Sequence, residues 1–96
     1  GPAAVDGLRT LFGEADPNLR IYALTALARI ADPGSAALAL EVALADANVN
    51  VVAAAVEAVA AAGSPDMGGD LVRVAGRFPN QPFVSFAVRA ALRKIG

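Results

Sequence analysis

The sequence predicts an all-α fold, a solenoid of three stacked helix pairs, and three observations point to it. A pattern returns every 32 residues: Leu24, Val56 and Val88 hold one place in it, Leu8, Leu40 and Val72 a second, Leu11, Ala43 and Ala75 a third, and Ala23, Ala55 and Ala87 a fourth. A period of this length marks units too small to bury their own apolar face, which stack to make a shared core. The apolar fraction is 56%, much of it alanine, and aromatic residues are only 5%, a composition that favours helices over strands. Pro, Gly and Asp, finally, gather at the joints between alanine-rich runs.

Each joint joins a capping side chain to a residue that stops the preceding helix: Asp16-Pro17-Asn18, Asp32-Pro33-Gly34-Ser35, Asp46-Ala47-Asn48, Ser64-Pro65-Asp66 and Phe78-Pro79-Asn80. The runs between them predict helices over 3–13, 18–31, 35–45, 49–62, 67–77 and 81–95. They form repeats over about 3–33, 34–65 and 66–96 of one domain, 3–96. On a helical wheel the second helix of each pair buries Arg20, Leu24, Leu27, Ala28 and Ala31, then Val52, Val56, Val59, Ala60 and Gly63, then Val84, Val88, Ala91, Leu92 and Ile95. Small residues at Ala28, Ala60 and Gly63 allow close helix approach. The first helices add Leu8, Leu11 and Phe12, then Leu40, Ala43 and Leu44, then Val72 and Ala75.

These residues carry a resemblance. The stretch from Leu19 to Pro33, with Arg20, Ala23, Ala26, Leu27, Ile30, Asp32 and Pro33, resembles the second helix and joint of a short bacterial HEAT-like repeat, V-R-x-x-A-x-x-A-L-G-x-I-G-D-P, of the type also found in phycobilisome lyases. The likeness covers nearly the whole chain in units shorter than the ~40–47 residues of longer HEAT and armadillo repeats. It implies a right-handed solenoid with the second helices on its inner face. Departures follow the repeats: the family arginine is Arg20 but becomes Val52 and Val84, and the aspartate before the helix, Asp16, becomes Asn48 and Asn80. Apolar packing is expected to replace a continuous polar ladder between repeats. The ending of the third unit, residues 91–96, fits the family pattern better when shifted by one residue.

Composition limits the chemistry. Histidine and cysteine are absent, which removes the commonest general base, thiolate ligands and disulfides, and fits a reducing compartment. The sequence offers no catalytic constellation, no cofactor site and no metal site. Ser35 and Ser64 read as helix caps, Asp66 and Asp70 as a solvated helix start, and Gly68-Gly69 as a loosened start to the fifth helix, since no strand precedes it and no Gly-Lys-Ser/Thr follows. Asp16 and Arg20 share i,i+4 spacing. No apolar run is long enough for a membrane span. The formal net charge is −1, unevenly spread: residues 1–64 hold three arginines against seven acids, a net of −4, and residues 65–96 hold five basic residues against two acids, a net of +3. That is a weak footprint for duplex binding, so neither nucleic acid nor a membrane is expected as partner.

The expected activity is non-catalytic: a protein-interaction or scaffold module. Its candidate binding face is the side of the second helices opposite the core, with Tyr22, Thr25 and Arg29, then Ala54, Glu57 and Ala61, then Phe86, Arg89 and Arg93. Ala54 and Ala61 would floor a trough between Tyr22 and Phe86, rimmed by basic residues and suited to an acidic or amphipathic peptide. The other reading of these residues is helix propensity and ordinary surface cover. Two rival functions follow from the resemblance: a subunit related to phycobilin lyases that assists chromophore binding, and a HEAT-like DNA-binding repair domain, which needs a strongly basic face. Gly1-Pro2 reads as a tag scar, and the apolar start (Val5, Leu8, Leu11, Phe12) and the Ile95-Gly96 ending suggest a fragment of a longer protein, or self-association through the terminal repeats. Seven arginines to one lysine, with abundant alanine, suggest a GC-rich bacterial genome and, without a signal peptide, a cytoplasmic location.

Overall fold

A computed structural model describes residues 2–96; Gly1, half of the dipeptide read as a tag scar, lies outside them. Six helices follow in order: α1 (Pro2–Arg9), continued by a 3-10 turn (Thr10–Gly13), α2 (Pro17–Ile30), α3 (Pro33–Ala45), α4 (Val49–Ala62), a 3-10 turn (Pro65–Met67) leading into α5 (Gly68–Arg77), and α6 (Pro82–Ile95). No strand occurs among the described residues. The second helices lie side by side as α2, α4 and α6, and the first helices form the other layer, with α3 between α1 and α5. The result is a slab of 33 × 29 × 16 Å, two helices thick.

Local chemistry sets most helix starts. The Asp16 carboxylate accepts from the Asn18 N–H at 2.9 Å, and the Asn48 side chain accepts from Asn50 and Val51. At α3 the Asp32 carboxylate accepts from the Ser35 N–H at 2.7 Å while the Ser35 hydroxyl accepts from the Asp32 N–H at 3.2 Å, a reciprocal capping box. Ser35 is therefore the third residue of the helix and not its cap. Ser64, also read as a cap, makes no capping bond; its hydroxyl donates to Asp66 instead. Asn80 does not cap α6 either, because the helix begins one residue later, after Gln81.

The core centres on the middle pair. α4, touched by α2, α3 and α6, buries Val51, Val52, Ala55, Val56, Ala58 and Val59, and α3 buries Leu38, Ala39, Leu40, Val42 and Ala43. Leu24 and Leu27 of α2, and Val84, Val88, Ala91 and Ile95 of α6, complete it as predicted. Gly63 ends α4 where a Cβ would stand 2.6 Å from the Val59 carbonyl oxygen and 3.3 Å from Ile95, so glycine is required there.

Three expectations about the core need correction. Val72 is exposed while Leu71 and Val74 are buried: α3 covers α5 on one side only, so α5 buries the counterparts of Ala39 and Val42 and leaves the counterpart of Leu40 to solvent. Ala31 is exposed because it stands past the end of α2, in the left-handed region at φ 51°, where its N–H bonds the Leu27 carbonyl. Arg20 is half-buried, but in a polar seam: its Nε and Nη2 donate to Asp46 at 2.7 and 3.2 Å, and its Nη1 to the Glu14 and Ala15 carbonyls. Its carboxylate partner is thus Asp46, while Asp16 caps α2. Apolar packing does not wholly replace the ladder between the second and third units either, since Arg77 of α5 donates to the Ala43 and Asp46 carbonyls at 2.7 and 3.0 Å and so satisfies the end of α3.

Candidate functional site

The candidate binding residues stand on α2, α4 and α6, the second helices of the three units. Tyr22 and Phe86 are the most exposed large hydrophobic residues of the described chain, at 65% and 63%. Thr25, Arg29, Glu57, Arg89 and Arg93 are also exposed, whereas Ala54 is half-buried and packs against the core. The Thr25 hydroxyl donates to the Ile21 carbonyl at 3.1 Å, which leaves it only an acceptor for a partner. No ion pair engages Arg29, Glu57, Arg89, Arg93 or Lys94 among the described residues.

A groove of about 320 Å³ runs between α4 and α6. Ala53 and Ala60 on one side and Ala87 and Ala90 on the other make its floor; Phe83 and Phe86 wall one end, and Glu57 and Lys94 are its charged groups. The floor is thus one residue round α4 from Ala54 and Ala61, the pair the sequence suggested. The groove exists because four alanines face one another where larger side chains would fill the gap between helix axes. Phe83, 41% exposed, and Lys94 were missed. For Phe83 the signal was present: it stands three residues before Phe86, hence on the same side of the helix.

A larger hollow, about 460 Å³, opens in the opposite layer between α1 and α3, lined by Arg9, Phe12, Leu38, Glu41 and Val42. Size alone does not make it a docking site: its more buried charged pair, Arg20 with Asp46, is fully engaged within the chain, and its exposed pair, Arg9 with Glu41, is loose. Arg9 pairs with Glu41 at 3.6 Å, and Arg20 with Asp46 at 2.7 Å. Among the described residues, no cluster of three acidic residues could hold a metal ion, and no buried side-chain polar atom lacks a hydrogen-bond partner. Asp66 and Asp70, four residues apart, are engaged separately, by the Ser64 hydroxyl and by Arg73.

Helix pairs stacked in two layers, with an arginine of one unit gripping the joint of the next, set the frame for comparison with known families. The profile of the family described as HEAT repeats matches residues 2–93. The chain belongs to the HEAT-repeat family. HEAT repeats generally mediate protein–protein interaction and are typically non-catalytic. No curated protein and no solved structure is matched. No helix of the described HEAT-repeat chain is long and apolar enough to cross a membrane.

Proposed function

We propose that this HEAT-repeat chain is a non-catalytic interaction module that binds a partner protein or peptide on the face formed by α2, α4 and α6. One observation carries the reading: the alanine-floored groove between α4 and α6 is walled by two exposed phenylalanines, with Tyr22 exposed on the same face. Aromatic residues beside an apolar groove are the usual energetic anchors of interfaces. Among the exposed residues of α2, α4 and α6, four are basic, Arg29, Arg89, Arg93 and Lys94, against one acid, Glu57. That balance favours an acidic, amphipathic partner segment, its apolar stripe on the groove floor and its carboxylates toward the arginines. Self-association is a separate reading and concerns the two ends of the stack, not this face.

The test is a display library of helical peptides sharing one apolar stripe at i, i+3, i+4 and i+7, half with acidic and half with basic flanks. Acidic peptides should be selected, and Phe86→Ala should weaken them by about 1–2 kcal/mol. Arg89→Glu should weaken acidic peptides while helicity stays intact. Selection of basic peptides, or full binding by the Tyr22→Ala/Arg89→Glu double variant, would remove this face as the site.

A further inference from the structure

The two ends of the stack expose positions that the middle unit buries. Phe83 of α6 lines the groove with α4, so its place in the repeat faces the preceding second helix. Val51 holds the same place in α4 and is 0% exposed; Leu19 holds it in α2 and is 40% exposed. At the other end the relation is reversed. Arg77 reaches α3 from one side of α5, and Val72, five residues earlier and about 140° round the helix, lies on the side turned away from α3. Val72 is 58% exposed, while Leu40, its counterpart in α3, is 8% exposed. Gly68 stands one turn before Val72, and a Cβ on it would lie 3.5 Å from the half-buried Leu92 of α6, so α5 and α6 meet beside Val72 at this end.

We infer that the Leu19 end of one chain docks on the Val72–Leu92 end of a second copy, head to tail, in the register by which the units already stack within the chain. The inference rests on the self-association reading and names its geometry. The chain already contains the interface that each end would complete: α4 packs on α2 and α6 packs on α4, so the surface complementary to the first unit is the far side of a repeat like the third. Charge agrees in sign. The first unit holds three arginines against four acids, and the third holds five basic residues against two acids. Such contacts are heterologous, so each added copy leaves a fresh end and growth is open.

The experiment is sedimentation and light scattering of the purified chain over a concentration series, with Leu19→Glu, Val72→Glu and Phe86→Ala. Both charge substitutions fall at exposed positions, and circular dichroism checks that each variant is helical. The wild type is expected to grow in mass beyond a dimer, each Glu variant to remain a monomer, and Phe86→Ala to assemble as the wild type does. Mixing the two Glu variants is decisive: each keeps one intact end, so an equimolar mixture should give two-chain species and nothing larger. A wild type that stays monomeric at millimolar concentration overturns the inference and the self-association reading together. A closed dimer, or a mixture that stays monomeric, overturns the head-to-tail geometry and leaves self-association standing. Assembly abolished by Phe86→Ala would overturn it by moving the contact to the groove face.

Discussion

Arg20 of α2 and Asp46, 26 residues on at the joint between α3 and α4, form a two-bond ion pair with Nε–Oδ2 and Nη2–Oδ1 distances of 2.7 and 3.2 Å. Their side chains are only 16% and 10% exposed. The same carboxylate accepts from the Asn48 N–H at 2.9 Å, and the same guanidinium holds the Glu14 and Ala15 carbonyls. One pair therefore ties the joint of the first unit to that of the second.

Asp46→Ala should destabilise the fold by about 3–5 kcal/mol, because it leaves a largely buried guanidinium without its counter-charge. Urea unfolding followed by circular dichroism measures it. Replacing both partners by apolar residues, Arg20→Met with Asp46→Leu, should cost less than the single change. Equal losses would mean that the pair contributes nothing beyond the Asn48 contact.

Ala31→Gly should stabilise the protein by roughly 1 kcal/mol. Ala31 is the non-glycine residue with positive φ among the described residues, at 51°, and a side chain in that region is strained by about 1–2 kcal/mol, part of which glycine returns as unfolded-state entropy. The exposed methyl has little packing to lose. A lowered denaturation midpoint would contradict the cap geometry.

Core and face should separate cleanly in stability measurements. Leu27→Ala, at a fully buried site, should cost about 2–5 kcal/mol by opening a cavity. Phe86→Ala, at an exposed one, should stay within about 0.5 kcal/mol of wild type. A large loss from Phe86→Ala would give that ring a structural role.

The hydrogen bonds from the Ser35 hydroxyl and then the Ser35 N–H hold the Asp32 carboxyl below its usual pKa. A carboxyl whose pKa is lowered by folding adds stability that is fully present above its unfolded value, about 3.9, and is lost as pH falls through the folded value. Ser35→Ala removes the hydroxyl donor, so the Asp32 pKa, followed by NMR, should rise toward the ordinary carboxylate value. Acid unfolding should then depend less steeply on pH below about pH 4. An unchanged Asp32 titration would show that the hydroxyl does not stabilise the charged form.

The sequence alone determined what is periodic or local: three helix pairs, six helix spans close to those observed, capping by Asp16 and Asn48, and the exposure of Tyr22 and Phe86 opposite Leu24 and Val88. Spacing of 3.6 residues and caps within three residues of their targets are written in adjacent letters, so they can be read without a fold. The tertiary structure alone decided which groups meet across the stack: Arg20 with Asp46 and not Asp16, Leu71 inside and Val72 outside, Arg77 on the end of α3, and a groove floored by Ala53 and Ala60 in place of Ala54 and Ala61. In each case the deciding quantity is how one helix sits against another: which of its sides a neighbour covers, and how it is turned toward that neighbour. A single residue turns a helical face by about 100°, and a 32-residue period built largely of alanine and valine packs with too little selectivity to fix that turn.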